Sequence, residues 1–314
     1  MILVTGATGF VGKELISQLL AHQKSVRACV RQSSASFPDS VDIAQTGNLS
    51  PELDWTPFLV GVEAVVHAAA RVHVMQDSLS DPLVEYRKVN TEATLNLARQ
   101  AAKAGVKRFI FISSIKVNGE STAPGTPFSP ETTPHPVDPY GVSKYEAEQG
   151  LLELAAQSDL EVVIIRPPLV YGPGVKANFR SMIKWLHRGV PLPLGGIHNQ
   201  RSLVALDNLV NFIELCLTHA KAKNQVFLIS DQQDVSTTGL LQAISKALGK
   251  PSLLIPIPMT LIKLAAGVLG KQGLEQRLAG SLQVDSSKAT ERLDWRPVVT
   301  FEQGVQKTVD AYLG

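Results

Sequence analysis

Tyr140 and Lys144 stand four residues apart in Tyr140-Gly-Val-Ser-Lys144. On a helix that spacing puts both side chains on one face. Proton transfer is the chemistry such a pair offers. A free phenol, with a pKa near ~10, is a poor base at neutral pH, and a neighbouring ammonium favours the phenolate and lowers that value. Ser114 lies 26 residues upstream (140 − 114 = 26), at the end of Phe109-Ile-Phe-Ile-Ser113-Ser114. Its hydroxyl could hydrogen-bond a reacting oxygen beside Tyr140.

A second set of residues handles phosphate. Gly6-Ala-Thr8-Gly9-Phe10-Val11-Gly12 follows Ile2-Leu3-Val4 and opens an amphipathic segment. Glycine at such places permits a tight turn, a close approach of backbone to a pyrophosphate and close helix–strand packing. The phosphates then meet free N–H groups and the positive end of the helix dipole. This is a dinucleotide-binding pattern, and the positive ring of an oxidised nicotinamide would further favour a Tyr140 phenolate. Arg31, 19 residues past the last glycine (31 − 12 = 19), stands where an acidic residue would accept from a ribose 2′-OH. A guanidinium fits a 2′-phosphate and can stack on adenine, so NADP(H) is expected over NAD(H).

These residues need a scaffold to gather them. Short β-branched runs alternate with helical patterns through the first half, which implies right-handed βαβ units and a parallel sheet. Strands are expected at 1–5, 25–30, 41–45, 62–68, 107–113 and 160–166, and helices at 10–22, 83–104 and 139–157. Asp138 and Pro139 suit the N-cap and first turn of the last of these. Beyond residue 172 Gly and Pro cluster at 172–174 and 189–196 around a helix at 178–188, followed by a strand at 202–206 and a helix at 207–218. The expected fold is α/β, a Rossmann-type doubly wound parallel sheet with a smaller mixed C-terminal substrate-binding part. The dinucleotide-binding domain spans 1–172, with 201–229 returning to it; 173–200 and 230–314 form the smaller part.

Composition removes other classes. The 314 residues hold 30 Lys and Arg against 28 Asp and Glu, and no block of basic residues suggests nucleic acid. The stretch 99–108, with four cations, reads as a solvated helix end. Cys29 and Cys216 are far apart and outside any CxxC, so neither a disulfide framework nor a metal site is expected. Met1 runs straight into a strand, and the apolar stretch 253–270, interrupted by Pro256, Pro258 and Lys263, reads as a strand, a turn and a buried helix rather than a membrane span. A cytoplasmic, soluble protein with no membrane partner is expected.

The G-x-x-G-x-x-G turn, Ser114 and Tyr140-x-x-x-Lys144 together resemble the extended short-chain dehydrogenase/reductase family, nearly end to end. The resemblance implies that Lys144 also holds the nicotinamide ribose. It implies that Asn48 and Leu49 touch adenine, that Ala68 and Ala69 of Val65-Val66-His67-Ala68-Ala69-Ala70 line the cofactor, and that Pro167 of Arg166-Pro167-Pro168 covers the carboxamide. His67 is structural in this reading, and Asn90 steadies the active-site backbone. Asn178 and Arg201 match positions that contact the diphosphate of a nucleotide sugar, a task apt for a guanidinium. Trp295, in a closing Leu293-Asp-Trp295-Arg-Pro297 signature, is read as packing. A homodimer is common in the family.

The implied chemistry is redox at a sugar ring carbon, the 4-position above all, on a UDP-sugar. A dehydratase is disfavoured because Ile115-Lys116-Val117 lacks the acidic pair those enzymes carry after the serine. Residues 86–90 and 113–119 look most like UDP-N-acetylquinovosamine dehydrogenases, which reduce a UDP-4-keto-6-deoxy-N-acetylhexosamine for surface polysaccharides. Asn118 replaces the tyrosine many 4-epimerases carry. The reading leans to the reductase, with a UDP-glucose or UDP-N-acetylglucosamine 4-epimerase as the alternative and a non-catalytic NADP sensor as a remote one.

Overall fold

Seven short apolar runs pair, all in parallel, into one sheet of order β3-β2-β1-β4-β5-β6-β9. They are β1 (Ile2–Thr5), β2 (Val26–Val30), β3 (Asp42–Gln45), β4 (Ala64–His67), β5 (Arg108–Ile112), β6 (Glu161–Arg166) and β9 (Gln225–Leu228). The computed structural model describes residues 1–32, 37–72, 81–123, 125–258, 260–261 and 278–314. Alternate residues of each strand face opposite layers, as the pleat requires. Val4, Val66, Ile110, Val163 and Ile165 pack against helices α1 (Phe10–Ala21) and α6 (Leu206–Thr218). Leu3, Val65, Phe109, Phe111, Val162 and Ile164 pack on the other side against α3 (Ala93–Lys103) and α4 (Pro139–Ala156). The chain is thus a doubly wound α/β fold with helices on both faces.

The expected helix at 83–104 is three pieces. Pro82–Tyr86 (α2) is α-helical, Arg87–Glu92 is a π-helical turn, and α3 follows. The wide turn carries Asn90 and turns it inward, a distortion of the kind that gathers at functional sites. Arg108 is also not part of a solvated helix end. It begins β5, is buried, and donates to the carbonyl of Cys216 and to Glu161.

A second sheet joins β7 (Leu169–Tyr171), β8 (Arg201–Ala205) and β10 (Asp234–Val235), the first two parallel and the last antiparallel. With α5 (Ala177–His187), α7 (Thr237–Ala247) and α9 (Phe301–Leu313) it encloses a smaller core of Tyr171, Phe179, Ile183, Leu241, Ile244 and Val305. Strand β8 stands between the two cores: Leu203 and Ala205 face the small one, Val204 the large one. The helix α8 (Ser287–Leu293) returns to the large core, where Trp295 meets Phe212 edge-on at 5.0 Å. Of the apolar stretch 253–270, Leu254 bridges to Leu192, and 259 and 262–270 lie outside the described residues.

Candidate active site

In a parallel sheet the carboxyl ends of the strands gather at one edge, and the crevice opens where the strand order reverses. Here that is between β1 and β4. The glycine turn leaves β1 there, Ala68 and Ala69 leave β4, Ser114 leaves β5 and Pro167 leaves β6.

Helix α4 is brought to this edge by its first turn. Asp138 caps it, the carboxylate accepting from the Gly141 N–H at 2.7 Å. A Cβ at Gly141 would stand 2.8 Å from the carbonyl oxygen of Lys116, so only glycine lets the helix lie this close to the loop after β5. Lys116 in turn donates to Asp138 and to Glu120 (3.2 Å). Ser114, in extended conformation, starts a single 3₁₀ turn at Ile115–Val117, its hydroxyl accepting from the Lys116 N–H at 3.2 Å. The same hydroxyl reaches the Tyr140 phenol. Burial, with Asp138 and Tyr86 adding to it, pushes that phenol above its usual range, and the Ser114 hydrogen bond opposes the rise.

Lys144, one turn on, is 1% exposed. Its ammonium donates to the Ile112 carbonyl at 2.8 Å and lies 4.3 Å from the Phe111 ring centroid. Burial pushes its pKa down to about 7, while Glu148, one turn further, pulls it up. The three residues Ser114, Tyr140 and Lys144 therefore come together at the end of β5.

Beneath them lies a buried ionic network that sequence reasoning missed. Glu148, 0% exposed, accepts from Ser113 Oγ at 2.5 Å and from Arg166 through Nε (3.0 Å) and Nη2 (2.5 Å). Arg166 donates a third bond, 3.0 Å, to the Asn118 side-chain oxygen, and the Asn118 amide donates to the Ser129 carbonyl at 3.3 Å. A signal existed: 140, 144 and 148 share one spacing and so one helix face. Asn118 is 2% exposed. It satisfies a buried arginine, so its departure from the epimerase tyrosine speaks for core chemistry and gives no support to a reductase.

A second hydrogen-bond chain ties the glycine turn to α4. Thr5 Oγ1 meets His67 Nδ1 at 2.7 Å, His67 Nε2 meets Thr94 Oγ1 at 2.9 Å, and Thr94 donates to the Asn90 carbonyl at 2.8 Å. Asn90 then donates to Ser143 Oγ (3.1 Å) and exchanges two bonds with the Arg71 backbone. Full burial, helped by the Lys144 charge, holds His67 near a pKa of about 3, hence neutral. Its place is structural, as is that of Asn90.

The cofactor side fits a dinucleotide. A Cβ on Gly12 would stand 2.2 Å from the Gly6 carbonyl oxygen, and one on Gly6 2.8 Å from the Ala69 nitrogen. Gly6 has φ +68°, a left-handed value suited to glycine. No side chain caps α1 at Gly9, so the first helical N–H groups stay available for phosphate. Thr8 and Gly9 are exposed, and Phe10 and Val11 pack partly on the core. Asn48 is exposed just past β3, and Leu49 leans on the core. Pro167 is buried, its carbonyl accepting from Ile115 N–H at 3.0 Å. Arg31 is exposed at the end of β2.

The expected diphosphate residues lie on α5 and on β8, the strand between the two cores. Asn178 is exposed in the first turn of α5, and Arg201 is half-buried at the start of β8, donating to the Gly280 carbonyl at 3.1 Å. Burial lowers the Arg201 pKa from its usual value. An open cavity of about 990 Å³, lined by Met1, Glu63, Lys107, Glu214 and Arg296 among others, lies at the amino ends of β1, β4 and β5, away from all of these residues.

The chain belongs to the NAD dependent epimerase/dehydratase family, which it matches over residues 2–230. It is an enzyme of that family. Over 99% of its length and 95% of the relative's, it is 48% identical to a UDP-glucose 4-epimerase of Vibrio cholerae. Its fold matches the UDP-glucose 4-epimerase of Thermotoga maritima, solved with UDP-glucose, at a TM-score of 0.78 and 25% identity, covering 99% of this chain and 98% of that one. It matches MoeE5, solved with UDP-glucose and NAD, at a TM-score of 0.79 and 25% identity over the same shares. The NADP preference read from Arg31 finds no support here: the family is NAD-dependent and this relative holds NAD. An arginine that stacks on adenine serves either cofactor. Likewise, the Vibrio cholerae and Thermotoga maritima relatives are epimerases, which favours the epimerase alternative over the reductase. No helix among the described residues is long and apolar enough to cross a membrane.

Proposed function

We propose that this chain is a UDP-hexose 4-epimerase that retains NAD through each cycle. The carrying observation is the 48% identity to a UDP-glucose 4-epimerase, over 99% of this chain and 95% of that protein. The grouping of Ser114, Tyr140 and Lys144 at the sheet edge supports it. Tyr140 takes the proton from the sugar 4-hydroxyl and later returns it, and Ser114 holds the same oxygen. The Lys144 ammonium and the positive ring of bound nicotinamide would favour the Tyr140 phenolate, and Lys144 would hold the nicotinamide ribose. NAD bound in this cradle would supply a reversible hydride acceptor at the sugar 4-carbon. Gly6, Thr8, Gly9, Phe10, Val11 and Gly12 cradle the pyrophosphate, Arg31, Asn48 and Leu49 the adenosine half, and Ala68, Ala69 and Pro167 the nicotinamide half. Asn178 and Arg201 take the UDP diphosphate. In this reading 1–172 with 201–229 is the dinucleotide domain, to which α8 and Trp295 return, and 173–200 with the rest of 230–314 receives the sugar nucleotide.

Incubation of the purified protein with UDP-glucose or UDP-galactose, followed by NMR, tests this. Interconversion of the two epimers without added cofactor is expected. Stoichiometric consumption of NADPH with a UDP-4-keto sugar, and no epimer interconversion, would overturn it.

A further inference from the structure

No Asp or Glu occurs from Val162 to Leu206, a stretch that holds Arg166, Lys176, Arg180, Lys184, Arg188 and Arg201; none occurs between Asp234 and Glu275 either. Arg166 and Arg201 are turned inward. The other four recur every fourth residue along α5 and its ends, so they form one stripe. All four are exposed, while Phe179, Ile183 and Leu186 face the core. None of the four is in an ion pair among the described residues.

The end of this stripe is apolar as well as basic. Trp185 is 46% exposed, and its carbonyl accepts from the Val190 N–H. Two residues on, Leu192 exchanges backbone bonds with Leu253 and Ile255. Leu192 points inward, whereas Leu253 and Ile255 point outward, 46% and 49% exposed. Lys250 donates to the His187 carbonyl and so adds a fifth cation at the same place. The carboxylates of the neighbouring α9, Glu302 and Asp310, accept from Gln233 and Gln306, and among the described residues neither forms an ion pair with these cations.

An exposed apolar cluster rimmed by polar or charged side chains is the kind of patch that marks a protein or membrane interaction site. We propose that this face docks on an anionic lipid surface. Lys184, Arg188 and Lys250 meet the headgroups, and Trp185, Val190, Leu253 and Ile255 enter the boundary between headgroups and acyl chains. A second copy of the chain would set like charges against each other. A single-stranded nucleic acid would need a platform of several aromatic rings, and the face has one. The expectation of no membrane partner rested on the absence of a span, which a surface contact does not require. The inference is independent of the sugar chemistry, and its test reads binding without turnover.

Co-sedimentation with phosphatidylcholine vesicles, with and without phosphatidylglycerol, is the experiment. Binding is expected with phosphatidylglycerol only, weakening as salt rises. Trp55 and Trp295 are buried, so a blue shift of tryptophan emission on binding would come from Trp185 and vanish in Trp185→Phe. Lys184→Gln, Arg188→Gln and Lys250→Gln combined should weaken binding about 100-fold, at roughly fivefold per cation, with the melting temperature held. Leu253→Ser with Ile255→Ser should also weaken it with the cations in place. Three outcomes would each overturn the proposal: no binding to anionic vesicles at low salt, binding indifferent to both variants, or binding lost on charge removal but untouched by the two serines. A concentration-dependent dimer abolished by the serine pair, without vesicle binding, would replace the lipid with a second copy.

Discussion

Helices α4 and α5 both carry charged residues at four-residue spacing, and they use them in opposite ways. On α4 the series Tyr140, Lys144, Glu148 faces the sheet, and each charge is met by a named partner: Ile112 carbonyl for Lys144, Arg166 and Ser113 for Glu148. On α5 the series Lys176, Arg180, Lys184, Arg188 faces outward, and the apolar residues do the packing. The starts differ too. Asp138 and Pro139 define the first turn of α4, whereas α5 begins without a side-chain cap, at Ala177 with φ +53°. Burial makes the α4 charges costly to disturb and able to shift one another's pKa; water leaves the α5 charges independent and available to a ligand.

The contrast can be broken most forcefully at Glu148. Glu148→Ala leaves Arg166 buried without its carboxylate, and a loss of about 3–5 kcal/mol in urea unfolding is expected. A loss below ~1 kcal/mol would mean the network relaxes at little cost. Next comes Tyr140→Phe, which keeps the ring against Tyr86 and removes the proton-transfer oxygen. Turnover should fall at least ~10²-fold with NAD affinity unchanged; near-full activity would remove Tyr140 from the mechanism.

Lys144 gives a smaller effect that depends on pH. Its folded pKa of about 7 lies below the 10.5 of an unperturbed lysine, so between those values the unfolded chain holds a proton that the folded chain has released. Stability from this group therefore rises with pH across that window and is lost as pH falls toward 7. The slope is at most about 1.4 kcal/mol per pH unit for one proton. Unfolding of wild type and Lys144→Met without cofactor, at several values from neutral to alkaline pH, should show the slope in the first and not in the second. The smallest effect is expected on α5. Lys184→Ala should change stability by no more than ~0.5 kcal/mol, as at an ordinary exposed site. A larger loss would show that the stripe is structural.

Much of this was readable from sequence order alone. Seven expected strands and the helices at 10–22, 139–157, 178–188 and 207–218 stand within two residues of their places. Each is announced by residues adjacent in the chain: β-branched runs, 3.6-residue periodicity, a cap at Asp138. The same holds for the glycine turn, whose spacing encodes one local backbone path. Strands β7, β9 and β10 and helices α7 and α8 were not anticipated. They are short or lie in the mixed, Pro-rich remainder, where side-chain pattern competes with turn chemistry.

What the sequence by itself determined, then, is the set of short-range devices: the phosphate-binding turn, the Tyr140–Lys144 face, and the alternation that builds a parallel sheet. Only the tertiary structure decided which distant residues share a buried environment. Glu148 and Arg166 are 18 apart, Arg166 and Asn118 48, and Thr5 and His67 62. Whether Asn118 is a specificity residue or the partner of a buried arginine, and whether His67 is charged or neutral, depends on that environment. A side chain's protonation and its hydrogen-bond partners are set by desolvation and by neighbours within a few ångströms, and the fold, not proximity along the chain, supplies both.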